Sequence, residues 1–501
     1  MTVSSITPRL NPMIASLVDM RARLDDLQAQ LGTGKKATDY AGFGLDRSLA
    51  VGLRAQLSSL SSFDNTIATV GVRLTLAQTA LGQIDDSRRT MQQTMMKSVY
   101  TIDGTGQTTD QKAAAQQLDI ILGALNTRAG DRYLFSGAAV DQPSVETADH
   151  ILNGDGARAG LKQVIDERRQ ADLGASGLGR VVVGSPSASA VSITEDAAGS
   201  PFGFKVASVV STFSGATVSG PTGSPPGVAV DLGATNPTAG QSVTFTFNLP
   251  DGSQENLTLT ATDANPPGPN QFTIGADAAA SAGNLQAALT TSLGKLAGSS
   301  LAAASAMAAG NDFFNTDAAH PPQRVNGPPF DTATSLIDGT PANTVSWYTG
   351  EAGSAPARGT VTARVDTSIS VSYGMRASEE SLRAAVQNIA VFAATSYSAS
   401  DPNAGGSYDA LKVRTGAALT DAPGHQKITD IEAEIAGAQT SLSAAKERHT
   451  QTNATLSDMV SQIEGVPPEQ VAAQILSLQT SLQASLQTTA MLYKTSILNY
   501  L

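Results

Sequence analysis

Leu10, Met13, Leu17, Met20, Leu24, Leu27 and Leu31 follow one another at alternating steps of three and four residues. More than four hundred residues on, Ile428, Ile431, Ile435, Ala438, Leu442, Ala445, His449, Thr452, Leu456, Met459 and Ile463 repeat the rhythm. This spacing holds one apolar stripe on one side of a helix, and such a stripe is buried only against another helix. Most stripes of this kind close an intramolecular core. Here they are long and lie at both ends of the chain. They are followed by a last segment that is apolar around much of its circumference (Val471, Ile475, Leu478, Leu482, Leu486, Leu492, Ile497, Tyr500 and Leu501). A helix of that composition needs cover on several sides. The pattern therefore predicts terminal helices that pack on each other and on neighbouring copies. The residues expected to carry self-assembly are Leu10, Leu17, Leu24, Leu31, Leu478, Leu482, Leu486, Leu492, Ile497 and Leu501.

Proline marks where this regime stops. Of 23 prolines, two lie in 1–140, 17 in 141–375 and four in 376–501. Proline breaks helix interiors and favours turns, so the ends are free to be long helices while the middle is strands and loops. The expected fold is mainly α. Both termini form a long antiparallel helical coiled coil or bundle, with a β-rich α+β insertion at its centre. The expected divisions are an assembly helix and loop (1–45), the N-terminal part of a helical rod (46–184), an α+β outer module (185–340), strands and a helix returning to the rod (341–424), the C-terminal part of the rod (425–464) and a C-terminal assembly helix (465–501).

Within these divisions the first helix runs from about Pro12 to Leu31 and stops at Gly32 and Gly34, because glycine tolerates the left-handed conformation at a helix end. A second starts near Leu45, and only Arg88 interrupts its stripe. From Leu60 to Met95 it spans about 54 Å. Asp103–Gly106 reads as a turn, followed by a third helix with Leu118, Ile121, Leu122 and Leu125 on one face. VTFTFNL (243–249) and NLTLTAT (256–262), joined through Pro250-Asp251-Gly252, predict a β-hairpin. NTVSWYTGE (343–351) and TVTARVDTSISVSYG (360–374) read as strands. Helices are expected at about 378–397, 425–464 and 467–500, the last opening at Pro467-Pro468.

Chemistry-bearing patterns are absent. The four histidines, His150, His320, His425 and His449, are scattered, and none has a partner at helical metal spacing. His449 falls on the apolar stripe and reads as a tolerated seam or interface residue. GTGKK (32–36) lacks the upstream glycine of a phosphate loop, with Ala29 in its place, and reads as a helix end. GDGARAG (154–160) lacks dinucleotide-binding spacing and reads as a turn. No nucleophile elbow occurs, and acidic pairs such as Asp85-Asp86 read as solvated faces. The chain has no cysteine, which excludes thiol catalysis and thiolate metal sites. No catalytic, cofactor-binding or metal-binding residue is nominated, and the chain is not expected to be an enzyme. A formal net charge of −12 disfavours nucleic acid and anionic membranes as partners. No apolar run is long enough to span a bilayer, and the N-terminus shows no Sec-type signal.

LDDLQAQLGTGKKATDYAGFGLDRSLAVGLRAQL (24–57) resembles the first helix, the Thr-Gly-Lys break and the second helix of the bacterial flagellin superfamily. SLQTSLQASLQTTAMLYKTSILNYL (477–501) is similar to its terminal helix. Together the likeness covers roughly 1–140 and 376–501. GDRYLFSG (130–137) resembles a signature at the end of the third helix of the hook–filament junction proteins (hook-associated proteins) within that superfamily, and Trp347-Tyr348-Thr349-Gly350 resembles a strand seen after the insert in related proteins. The chain departs from the family at 38–46, where many members carry an Asp-Asp-Pro or Asp-Asp-Ala run and this chain has Thr-Asp-Tyr-Ala-Gly. The resemblance implies a structural subunit joining hook to filament. Filament flagellin itself is the alternative, and a surface adhesin or hydrolase displayed on coiled coils is a more distant one. It further implies export through the flagellar type III apparatus without a cleavable signal, and an extracellular location in the flagellum. Its partners would be further copies of itself, hook-associated protein and flagellin, and an export chaperone covering the C-terminal helix. Terminal helices of this kind order only on assembly.

Overall fold

The computed structural model describes residues 7–316, 320–353 and 355–498. In chain order its elements are α1 (Thr7–Thr33), a 3-10 turn (Tyr40–Asp46), α2 (Arg47–Lys97), α3 (Thr109–Leu125), β1 (Arg128–Ala129), β2 (Arg132–Tyr133), α4 (Ala148–Asn153) and α5 (Leu161–Leu173). The middle holds β3 (Val181–Gly184), β4 (Ala190–Glu195), β5 (Lys205–Ser211), β6 (Thr217–Thr222), β7 (Gly227–Asp231), β8 (Ser242–Asn248), β9 (Gln254–Thr262) and β10 (Gln271–Thr273). Then come α6 (Ala278–Leu296), a π-helical turn (Ala297–Leu301), α7 (Ala302–Phe314), β11 (Gln323–Val325), β12 (Leu336–Asp338), a second 3-10 turn (Ala357–Thr360), β13 (Thr362–Arg364) and β14 (Ser370–Ser372). The chain returns to helix with α8 (Glu380–Ala394), α9 (Ala404–Ala418), α10 (Ile428–Glu464) and α11 (Pro468–Leu498). Helix makes up about 52% of the structure, so the architecture is mainly α with an α+β middle.

The chain forms two compact units. One takes residues 1–70, 364–371 and 440–501; the other takes 71–363 and 372–439. In the first, α1 lies along α11. Ala50, Leu53 and Ile67 of α2 and Leu442, Ala445 and Leu456 of α10 are buried, as the three-four spacing of both stripes requires.

In the second unit Leu74, Ala77, Leu81 and Ile84 of α2 and Ile428, Ile431 and Ile435 of α10 are likewise buried. Arg88, the interruption in the stripe, is buried too. Its Nε donates to Asp85 Oδ1 at 2.9 Å, and its Nη1 donates to the Leu419 carbonyl. The helix thus carries a charge on its inner face because that charge is paired on site. α3 starts with a capping box: Gln111 N–H donates to Thr108 Oγ1, and the Gln111 side chain accepts from Thr108 N–H. It buries Leu118, Ile121, Leu122 and Leu125.

The middle is a pair of four-stranded sheets, ordered β3-β4-β7-β6 and β10-β9-β8-β5. β8 and β9 form the expected antiparallel hairpin. Their alternation sends Val243, Phe245, Phe247, Leu257 and Leu259 inward, where they meet Val191, Ile193, Val230 and Phe272 and the α6 residues Leu285, Leu289 and Leu293. The first sheet takes in β3, ahead of the expected boundary at 185.

Segment 343–351 is not a regular strand. Thr344 and Tyr348 make only isolated bridges, to Ala159 and Val145, because the segment changes backbone partner along its length: Val345 N–H donates to Ala159 O and Thr349 N–H to Ser144 O. Helices α5 and α9 carry no clean apolar stripe. α5 buries Glu167, Arg168 and Asp172 beside Leu161, Val164 and Ile165, and α9 opens on Gly405-Gly406.

Candidate assembly surface

The terminal helices meet at a turn built from backbone. Gly34, at φ +68°, ends the extension of α1. Lys36 N–H then donates to Glu464 O at 2.7 Å, and Val466 N–H donates to Gly34 O at 3.1 Å. Gln30 Nε2 closes the corner on Lys36 O at 3.0 Å. A charged clasp lies over it: Arg54 on α2 reaches Glu464 with Nε to Oε1 at 2.7 Å and Nη2 to Oε2 at 2.5 Å. This two-pronged geometry is the strong form of the carboxylate–guanidinium pair. The Arg54 hydrogen bond holds the Glu464 carboxyl below its ordinary range, against an opposing push from burial. The GTGKK segment is therefore a helix end fastened to the other terminus of the chain.

From this corner the half-buried positions of α1 run Gln30, Leu27, Leu24, Met20, Leu17. Those of α11 run from buried Val471 through Ile475, Leu478, Leu482, Ser485 and Thr489. Arg23, Asp26, Leu27 and Gln30 share a groove of about 430 Å³ with Gln474, Ser477, Leu478 and Ser481. The remaining faces stay apolar in places: Leu476 is 65% exposed, Leu486 51%, Met491 65% and Leu31 43%.

Of the nominated residues, Leu17, Leu24, Leu478 and Leu482 fall on the half-buried stripes. Leu31 and Leu486 fall off them, since Gln30 and Ser485 take the inward positions. Leu10, Leu492 and Ile497 belong to α1 and α11, with their side chains outside the described residues. Leu501 lies wholly outside them.

His449 on α10 is 2% exposed. Its Nδ1 lies 2.7 Å from Asp64 Oδ1 on α2, and its Nε2 lies 3.7 Å from Asp366 Oδ2. The seam histidine thus hydrogen-bonds Asp64, with Asp366 nearby but beyond hydrogen-bond distance. Backbone and side-chain hydrogen bonds from Thr367, with His449 and Arg448 close by, hold the Asp366 carboxyl below its usual range.

In the second unit, the GDRYLFSG and Trp347–Gly350 segments lie together. Phe135 and Trp347 are fully buried, Glu351 N–H donates to Ser136 O at 2.9 Å, and Trp347 Nε1 donates to Phe314 O at 2.9 Å. Burial pushes the Tyr348 hydroxyl up to about 12, with Arg376 acting against it. This is a packing node, in which the indole N–H is committed to backbone while the Tyr348 hydroxyl is buried without a hydrogen-bond partner among the described residues.

Sequence periodicity located the terminal helices and missed the clasp and the His449–Asp64 hydrogen bond, whose partners stand 410 and 385 residues apart. The only local trace was a polar residue at a seam position. Among the described residues no group of three or more His, Asp or Glu side chains is placed to hold a metal ion. Among them no helix is long and apolar enough to cross a membrane. No protein-family model matches the sequence, and no curated protein matches it at a significant level.

Proposed function

We propose that this chain is a structural subunit of the bacterial flagellum that joins hook to filament. On this reading α1 and α11 form an antiparallel coiled coil that is completed by the same helices of neighbouring copies. The observation that carries it is the incomplete cover of α11, whose inner stripe is only half-buried while Leu476, Leu486 and Met491 face outward. An apolar surface of that length on a helix favours association with a further helix. The flagellar assignment rests on the likeness of 24–57, 130–137 and 477–501 to the superfamily.

The mechanism follows from the energetics of a marginal helix. With one stripe half-covered, the terminal pair gains too little burial to be strongly ordered alone, and a neighbour supplies the rest, so ordering and assembly are coupled. Type III export of a loosely ordered terminus, with a chaperone over α11, fits the same economy. A ring of such subunits presents one rim to hook-associated protein and the other to flagellin. The chain is assigned no catalytic role.

A strain lacking the gene should build hooks, fail to retain filaments and shed flagellin into the medium; normal filaments on that strain overturn the assignment. Filament flagellin is the second reading, since it uses the same helices. Stoichiometry separates the two: the chain is a trace component of purified filaments if it forms the junction, and the bulk of them if it is flagellin.

A further inference from the structure

A cavity of about 770 Å³ in the second unit opens between α5, the π-helical turn, α7 and two loops. An adjoining cavity of about 170 Å³ shares Arg169, Ala302, Ser396, Tyr397 and Ser407 with it. Its size is that of a small-molecule site. Ala297, Leu301 and Ser305 at its base are buried and Ala302 is half-buried, so the base is small and apolar. Asp103 and Thr105 on one loop, Ser396, Ser398 and Asp401 on the other, and Arg169 on α5 form the rim, and all six are exposed.

Both loops are held in place before any ligand arrives. Gly106 has φ +77°, and a Cβ there would stand 2.5 Å from Tyr397 O. In turn Tyr397 N–H donates to Gly106 O at 2.8 Å. A Cβ on Gly298 in the π-helical turn would stand 2.4 Å from Asn403 Nδ2, so that turn lets the second loop seat against the base. Asp401 Oδ1 accepts from Asn403 N–H at 2.9 Å. A π-helical turn is a rare departure from α-helix that frequently occurs at functional sites.

Two of the rim charges already have ionic partners within the chain. Asp103 pairs with Lys112 and accepts from Thr105 Oγ1 at 2.6 Å. Arg169 pairs with Asp166 at 2.9 Å. A charged ligand would have to compete with these partners. A neutral one uses the spare capacity, since a carboxylate has about four acceptor sites and a guanidinium five donors.

We propose that this cleft binds a small uncharged saccharide. Ring hydroxyls would donate to Asp103 and Asp401 and accept from Arg169, while serine and threonine hydroxyls serve either role. The C–H face of a pyranose would lie on half-buried Ala302 and Leu173. The proposal is independent of the assembly reading and stands or falls without it.

The test is saturation-transfer NMR and calorimetry on the full-length chain with N-acetylglucosamine, galactose and cellobiose at millimolar concentration, and with spermidine and inorganic phosphate as charged probes. Expected is saturation transfer to the ring protons of at least one saccharide. Ala302→Leu, which fills the base, should weaken binding at least about tenfold. Ser396→Ala, at an exposed rim position shared by both cavities, should weaken it several-fold with an unchanged thermal midpoint, so the result stands even if Ala302→Leu misfolds. No transfer from any saccharide, binding of spermidine or phosphate alone, or saccharide binding that neither variant alters each overturns the proposal.

Discussion

At the scale of single residues, the ionic groups of this chain act as fasteners, and their pH behaviour follows from burial. Glu464 joins the α1–α11 corner to α2 through Arg54. Because its folded pKa is depressed, its contribution is present above the unfolded carboxylate value and is lost as pH falls through the folded one. Glu464→Gln should cost on the order of 1–2 kcal/mol, a charged hydrogen-bond pair discounted for the half-exposed Arg54. Faster amide exchange in the first turns of α11 would register the loss; unchanged exchange rates count against the clasp. Asp312 behaves oppositely. It lies 2.9 Å from Arg168, which also holds the fully buried Asp172. Burial pushes the Asp312 carboxyl up to about 6 from 3.8, with Arg168 opposing and Asp172 assisting. A raised folded pKa gives stability that is full below the unfolded value and is lost as pH rises through the folded value. The window is therefore pH 3.8 to about 6, and the size is at most of order 3 kcal/mol. Urea melts across that window should show Asp312→Asn losing less stability than the parent as pH rises; parallel curves would refute the assignment.

At the scale of elements, outward-looking and inward-looking leucines of the final helix have different jobs. Leu478 is half-buried and lines the groove shared with α1, whereas Leu486 is exposed. Leu478→Asp places an unpaired charge against α1, costs several kcal/mol and should abolish both the α1–α11 pairing and assembly, while the second unit keeps its near-ultraviolet signal. Leu486→Ser should leave the stability of the single chain within about 0.5 kcal/mol yet raise the concentration needed for assembly, as read by sedimentation. Equal loss of stability in both variants would show that Leu486 is part of the single-chain core. The helices themselves were legible because a 3.6-residue period is written locally. The hairpin of β8 and β9 was legible for the matching reason, a two-residue alternation around Pro250-Asp251-Gly252. α5 was not legible, since Glu167, Arg168 and Asp172 occupy its inner positions. Residues 343–351 were misread, since β-rich composition does not say whether a neighbouring edge is free to pair.

At the scale of the whole molecule, a net charge of −12 makes every encounter between copies repulsive at long range. Raising ionic strength from about 0.01 M to 0.15 M shortens the screening length from about 30 Å to 8 Å. The critical concentration for assembly should fall accordingly. Sedimentation across a salt series checks this, and assembly that weakens with salt would point to interfaces built from ion pairs rather than from the apolar faces of α1 and α11. What the sequence by itself determined is the character of each stretch: helical ends with an apolar stripe, a proline-punctuated α+β middle, and a chain without thiol chemistry. These are local properties, set by side-chain period and backbone preference over a few turns. Only the tertiary structure decided which stripes are covered and which stay open, that Arg54 finds Glu464 and Asp64 finds His449, and that a cleft opens beside the π-helical turn. Those outcomes depend on groups hundreds of residues apart meeting at hydrogen-bond distance, and no local period encodes such a meeting.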